Sequence, residues 1–125
     1  MAYEIVRFPF DGTIDADGHV LEPDWLWTEY LEERYRDRAL RIRTDAEGLE
    51  YLELDGRASE RTTKGVLGLL GSMGDLSVRR GPDRRYMDHV PFGGGDAKQR
   101  IELLAAENLE KCVLCLLYTS DAADD

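Results

Sequence analysis

No apolar run in this sequence approaches the ~20 residues that a membrane-spanning helix requires, so no such helix is expected. The opening stretch, Met1 to Phe10, lacks the basic segment and long apolar stretch of a secretory leader, and the expected location is cytoplasmic. Positive charge is also scarce: 16 Lys and Arg stand against 26 Asp and Glu, a formal charge of −10. Binding to phosphate backbones draws most of its affinity from Lys and Arg, so neither nucleic acid nor an anionic membrane is an expected partner. The remaining composition, 42% hydrophobic and 34% charged, is that of a folded globular protein. Its 125 residues allow one small domain.

Cysteine is limited to Cys112 and Cys115. Their C-x-x-C spacing opens a helix in redox enzymes. Here it lies in Cys112-Val-Leu-Cys-Leu-Leu-Tyr118, which reads as a buried strand. Side chains three apart on a strand point to opposite faces, so the pair is unsuited to share a metal or a disulfide. Two buried thiols are expected.

Between these features the elements can be read in order. Residues Gly12 to Asp17 are short and extended. Pro23 and Asp24 introduce a helical pattern to about Arg38, with Leu26/Tyr30, Trp27/Leu31 and Leu31/Tyr35 spaced by four and Glu32/Arg36 as a charged pair. A hairpin follows: Leu40–Arg43 alternates, Asp45-Ala-Glu-Gly48 turns, and Leu49–Leu54 alternates again before Asp55-Gly56. From Ala58 to Gly95 no regular period is visible. Glycines recur at 65, 68, 71 and 74 and again at 93–95, but no strand precedes them and no Gly-Lys-Ser/Thr is present, so a phosphate-binding loop is not expected. The expectation is a mobile loop, with Arg79, Arg80, Arg84 and Arg85 on its solvated face. A structureless stretch of this length reads as a lid or an insertion. Asp96 with Gln99 three residues later forms a capping box for a last helix. Ile101, Leu104, Ala105 and Leu109 mark its apolar face, and Asn108 suits its left-handed cap. The apolar run from Cys112 completes a strand–helix–insertion–helix–strand order, the opening of an α/β architecture with a parallel sheet.

The chemistry-bearing residues are in Ile14-Asp-Ala-Asp-Gly-His-Val-Leu-Glu-Pro23. Asp17 and His19 are two apart, so on a strand both point to one face. A carboxylate and an imidazole converging in this way suit zinc, manganese or iron. Two other readings use the same residues. Asp15-Ala-Asp17-Gly18 is also the pattern of the aspartate nucleophile in haloacid-dehalogenase-like phosphatases, although Pro9, Asp11, Gly12 and Thr13 interrupt the apolar strand that should precede it. The Asp15-Asp17-Gly18 spacing also fits part of a calcium loop counted from Thr13. That loop lacks the Asp at its first position and the Glu at its twelfth.

The stretch Ile14 to Trp27 closely resembles the first strand and helix of the amidohydrolase-related family, which includes aminocarboxymuconate-semialdehyde decarboxylase and resorcylate decarboxylases. A second match, Gly93-Gly-Gly-Asp-Ala-Lys-Gln-Arg-Ile-Glu-Leu-Leu104 with Glu107–Leu114, resembles the helix leading into that family's second barrel strand. Ala97 stands where the family often has Pro, and Asn108 where it often has Gly. The resemblance implies that the chain is an N-terminal fragment of a (β/α)8 TIM barrel with a hairpin and loop insertion over about residues 39–95. It also implies metal-ligand roles for Asp17 and His19 and a substrate-contacting or supporting role for Glu22. The divalent metal would be zinc first, manganese or iron otherwise. The implied activity is that of a metal-dependent hydrolase or non-oxidative decarboxylase of small organic acids or amides, with a homo-oligomeric parent as one option. The family's other ligands and its catalytic acid–base groups have no counterpart here, and His89 matches none of them.

A barrel of this kind takes ~200–400 residues, so the expected fragment holds about two of its eight units and is inactive alone. Leu116-Leu-Tyr-Thr-Ser-Asp-Ala-Ala-Asp-Asp125 resembles translated adapter sequence. The expected organisation is therefore 1–114 as the native part and 115–125 as a non-native tail.

Overall fold

Thr13–Val20 extends as strand β1 and pairs in parallel with a strand that lies almost a hundred residues later, Leu109–Leu116, which is β5. Parallel neighbours need a long crossover connection, and here it contains a hairpin, several short helical turns and a helix. The computed structural model describes residues 5–72 and 75–116. These form a mixed α/β structure with one parallel and one antiparallel sheet. The chain divides into two compact units, Met1–Glu22 with Pro91–Asp125, and Pro23–Val90. Among the described residues, no helix is long and apolar enough to cross a membrane.

In the first unit the connection back to β5 is helix α2, Ala97–Glu107. Its start is the one read from the sequence: the Asp96 carboxylate accepts from the Gln99 N–H at 2.9 Å, satisfying one of the helix's orphan donors. Its end is also as expected, with Asn108 left-handed at φ 62°, ψ 38°. That conformation is tolerated by Asn better than by most residues, and here the side chain secures it. Asn108 Nδ2 donates to the carbonyls of Phe8 and Phe10 at 3.1 and 3.0 Å, and its Oδ1 accepts from Arg7 at 2.9 Å.

The apolar face of α2 differs from the expectation. Leu103 and Glu107 are buried while Ile101 is 68% exposed. Leu103 packs against the Gly93 turn, where a Cβ added to the glycine would sit 3.0 Å from Leu103 Cδ2. β5 is likewise not the buried strand expected of Cys112–Tyr118. Val113 and Leu114 are 55% and 52% exposed, because β1 is its only strand neighbour among the described residues. Leu117 and Tyr118, like most of the expected tail, lie outside the described residues.

The second unit carries the hairpin. β2, Arg41–Thr44, pairs antiparallel with β3, Glu50–Leu54, and a two-residue strand β4, Arg57–Ala58, adds to its far side. Asp45 makes the turn by accepting the N–H groups of Glu47 and Leu49 at 3.0 and 2.9 Å, an Asx turn of the kind that competes successfully with regular structure. Leu52, Leu67 and Tyr86 form the centre of this unit, and the buried Glu50 carboxylate accepts from the Tyr86 N–H at 2.6 Å.

Two expectations are corrected in this unit. The helix anticipated from Pro23 to Arg38 exists only as α1, Leu26–Tyr30, and a separate 3-10 helix, Glu33–Arg38, divided by an extended Leu31 at ψ 141°. The anticipated Glu32–Arg36 pair does not form. Arg36 instead donates to the carbonyls of Leu31 and Glu29 at 3.0 and 3.3 Å, and Glu32 pairs with Arg34 at 2.9 Å. A guanidinium capping those carbonyls stabilises the interruption. The glycine-dense segment is not an open loop either. Leu67–Ser72 is a 3-10 helix with Leu67 and Gly68 buried. A Cβ at Gly68 would meet the Arg84 carbonyl at 2.5 Å, and one at Gly71 the His89 carbonyl at 1.9 Å. The two glycines therefore admit close backbone packing. Gly74 lies outside the described residues.

Candidate metal centre

β1 is irregular where its chemistry lies. From Asp15 to Gly18 it advances three residues, whereas β5 advances only from Cys112 to Leu114. The surplus residue is a β-bulge at Ala16–Asp17, a device that re-aims side chains and recurs beside active sites. Regular pairing resumes at Gly18 and continues through His19 opposite Cys115. The bulge modifies the simple alternation expected for this strand, yet Asp17 and His19 still converge: Asp17 Oδ1 lies 3.6 Å from His19 Nε2. The Asp17 side chain is 87% exposed and that of His19 35% exposed. His19 Nδ1 is buried and has no hydrogen-bond partner among the described residues.

Asp15 is engaged elsewhere. Its Oδ1 accepts the Asp17 N–H at 3.0 Å and its Oδ2 accepts the Cys112 thiol at 3.2 Å. The first bond tightens the bulge from within, and the second ties β1 to β5. Burial, and then the hydrogen bond to Asp15 and its negative charge, hold the Cys112 thiol above its ordinary pKa, with Arg100 acting in the opposite direction. Gly18 makes this arrangement sterically feasible. A Cβ there would fall 2.1 Å from Cys112 Sγ and 2.9 Å from Asp15 Oδ2. Cys112 and Cys115 are both free and half-buried, not buried as expected.

The exit of β1 is held by the segment that opens α2. The Leu21 N–H donates to the Gly94 carbonyl at 2.8 Å, and the Arg100 guanidinium donates to the His19 carbonyl. Glu22 follows at 1% exposure. His89 belongs to the second unit, in the 3-10 helix Met87–His89. An open cavity of about 470 Å³ runs along β1, lined by Phe8, Thr13–Asp17, Glu107 and Leu109. Among the described residues, no group of three or more His, Cys, Asp or Glu side chains is placed to hold a metal ion.

The Cys112–Asp15 bond and the Arg100 contact were not visible in the sequence. Their partners are 97 and 81 residues apart, and no local spacing signals them. The geometry also weighs against both rival readings of the motif. Asp15, which the phosphatase pattern makes the nucleophile, has both oxygens in hydrogen bonds. The calcium reading needs a coordinating loop, and Thr13–Val20 is a paired strand.

No family model matches the sequence, and no curated protein matches it. Among solved structures, the chain is similar to an amidohydrolase from Mycobacterium avium subsp. paratuberculosis K-10, with a TM-score of 0.56 and 20% identity. The match covers 86% of this chain and 30% of that one. This likeness is one of fold, and the chain spans about a third of the solved enzyme's length.

Proposed function

We propose that this chain is the N-terminal part of a metal-dependent hydrolase or non-oxidative decarboxylase of the amidohydrolase kind, acting on a small organic acid or amide. The observation that carries the reading is the convergence of Asp17 Oδ1 and His19 Nε2 to 3.6 Å beyond a bulge in a parallel strand. The fold in which this occurs is similar to part of an amidohydrolase. Active sites of parallel barrels are built at the C-terminal ends of strands, and this pair lies in the second half of β1.

The donor set fits a divalent metal, zinc first and manganese or iron otherwise. A carboxylate and an imidazole are ligands these ions accept, and Asp17 is open to a ligand. A histidine ligating through Nε2 normally donates its other ring N–H to an acceptor; among the described residues His19 Nδ1 has none, so that acceptor too would come from the rest of the complete enzyme. Two ligands are fewer than the three protein ligands of a catalytic zinc site, so the remainder would come from later strands of the complete enzyme. Exposed Ile14, Ile101, Val113 and Leu114 support that extension, because in a barrel such residues are covered by neighbouring strands and helices.

When bound, the ion would supply Lewis acidity to a substrate carbonyl or water. Asp17 and His19 would hold it, and Asp15 would fix the bulge through the Asp17 N–H. The buried Glu22 carboxylate fits a supporting role just past the ligand pair. The test is metal content and turnover of the complete enzyme on a panel of small carboxylic acids and amides, with carbon dioxide release read separately from amide cleavage. Chelation is expected to abolish turnover and added zinc to restore it. Full turnover from chelated, metal-free enzyme would overturn the reading.

A further inference from the structure

In β1 the backbone around the ligand pair is gripped from outside the sheet. A residue's C=O and the N–H two residues on emerge from the same edge of a strand. At this edge of β1 the His19 carbonyl receives the Arg100 guanidinium, and the Leu21 N–H donates to the Gly94 carbonyl at 2.8 Å. Both partners come from one short segment. Gly93 and Gly94 form the turn and Arg100 lies in the first turns of α2. The segment is itself braced, with the Gly93 N–H donating to Gln99 Oε1 at 3.2 Å and the Gly94 N–H to the Pro91 carbonyl at 2.8 Å. A Cβ at Gly93 would be 3.4 Å from the Arg100 Cα, so the turn and the arginine are held in contact.

We infer that Arg100 is a positioning residue for the metal centre, acting through the His19 carbonyl to fix the backbone from which the imidazole projects. This rests on the assignment of Asp17 and His19 as ligands. Three features single out Arg100. The bulge at Ala16–Asp17 interrupts pairing with β5 until it resumes at Gly18 and His19, so the stretch carrying the ligand pair has its Asp17 end outside regular sheet pairing. Among the described residues His19 Nδ1 has no hydrogen-bond partner, so the hydrogen bond that Arg100 makes to His19 fixes its main chain, from which the ring projects. A guanidinium also offers several donors in a fixed fork and acts on the carbonyl as a charged donor, which makes a stronger bond than a neutral one.

The test is on the complete, zinc-loaded enzyme. Arg100→Met is expected to weaken zinc binding by ~10–100-fold, the range seen when the groups that orient metal ligands are removed. Its circular dichroism should be unchanged, with kcat lowered and KM within about twofold of wild type. Arg100→Lys, which keeps a charged donor, is expected to recover most of the lost affinity. His19→Ala, measured in parallel, separates the two levels of the argument. If His19→Ala loses zinc and Arg100→Met binds it as wild type does, Arg100 has no positioning role. If His19→Ala itself retains zinc, the ligand assignment fails instead. Equal losses in Arg100→Met and Arg100→Lys alongside a lowered melting temperature would mark a purely structural arginine and also overturn the inference.

Discussion

Cys112 Sγ occupies the space that a side chain at Gly18 would need, 2.1 Å from the position of a Cβ there. The thiol reaches this place to donate to Asp15 Oδ2 at 3.2 Å, and Asp15 in turn holds the Asp17 N–H. The glycine of Asp-Gly-His is therefore a packing requirement imposed by β5. Gly18→Ala is expected to destabilise the chain by ~1–3 kcal/mol, the usual cost of overpacking, because the Val113 carbonyl at 3.2 Å also blocks a simple backbone shift. Cys112→Ala added to Gly18→Ala should recover part of the loss, a non-additivity expected of residues in contact. Chemical denaturation of the two single variants and the double variant measures it, and strict additivity would show that the thiol is not the obstacle.

The same thiol makes a pH prediction. Burial and Asp15 raise the Cys112 pKa, so its contribution to stability is complete below the unfolded cysteine value of ~8.5. That contribution is lost as pH rises through the higher folded value. Alkylation of Cys112 by iodoacetamide near pH 8 should accordingly be slow. Asp15→Asn, which removes the negative charge, should speed it several-fold. Peptide mass spectrometry follows the rate, and an unchanged rate in the variant would show that Asp15 does not restrain the thiol.

What the sequence made legible was local. The Asp96 cap, the left-handed Asn108 and the Asp45 turn depend on groups within a few residues of one another, and each formed as expected. The helix from Pro23 to Arg38 failed because Arg36 found backbone carbonyls to cap, a competitor that apolar spacing does not record. The face of α2 was misread because Gly93 and the His19 carbonyl, not helical periodicity, decided which side packs. The buried character of β5 was misread because an apolar run does not record how many strands lie beside it, and β1 is its only strand neighbour among the described residues. At the candidate site, Asp17 and His19 were visible as a pair, whereas the bulge between Asp15 and Gly18 exists only through pairing with a strand about ninety-five residues later.

Asn108 allows a sharper test of the local reading. Glycine would adopt its φ of 62° freely but would lose the bonds to Phe8, Phe10 and Arg7. These exposed bonds are worth ~1 kcal/mol together after exchange with water, so Asn108→Gly should destabilise by about that amount. Asn108→Ala should cost a further ~1 kcal/mol for the left-handed backbone. Melting curves of the three proteins give the order, and a stabilised glycine variant would show that the N-terminal tether is energetically idle.

In the second unit, Asp45 is one of three aspartates, with Asp55 and Asp75, whose carboxyls are held low, and it is the one that ties the hairpin turn to acid. Its carboxyl lies below the usual aspartate range, first through the hydrogen bond from Lys64 at 3.0 Å and then through the Leu49 N–H. A depressed folded pKa contributes stability above the unfolded value and loses it as pH falls through the folded one. Amide exchange at Glu47 and Leu49 should therefore accelerate as pH drops below ~4, after correction for intrinsic rates. Asp45→Asn should remove the pH dependence, and a persistent dependence in that variant would place the titration elsewhere.

The decisive prediction concerns this chain's two histidines, each replaced in the complete enzyme. His19→Ala and Asp17→Ala are each expected to remove bound metal and most activity, because together they supply the converging pair at 3.6 Å. A displaced reacting centre alone can cost ~100-fold in rate. His89→Ala is expected to leave metal content intact, since His89 ends a short 3-10 helix in the second unit and no metal-binding group forms around it among the described residues. Elemental analysis and turnover of each purified variant check both halves. Normal metal and rate in His19→Ala would remove the basis for the site. Metal loss in His89→Ala would instead overturn the expectation that His89 takes no part in holding the metal.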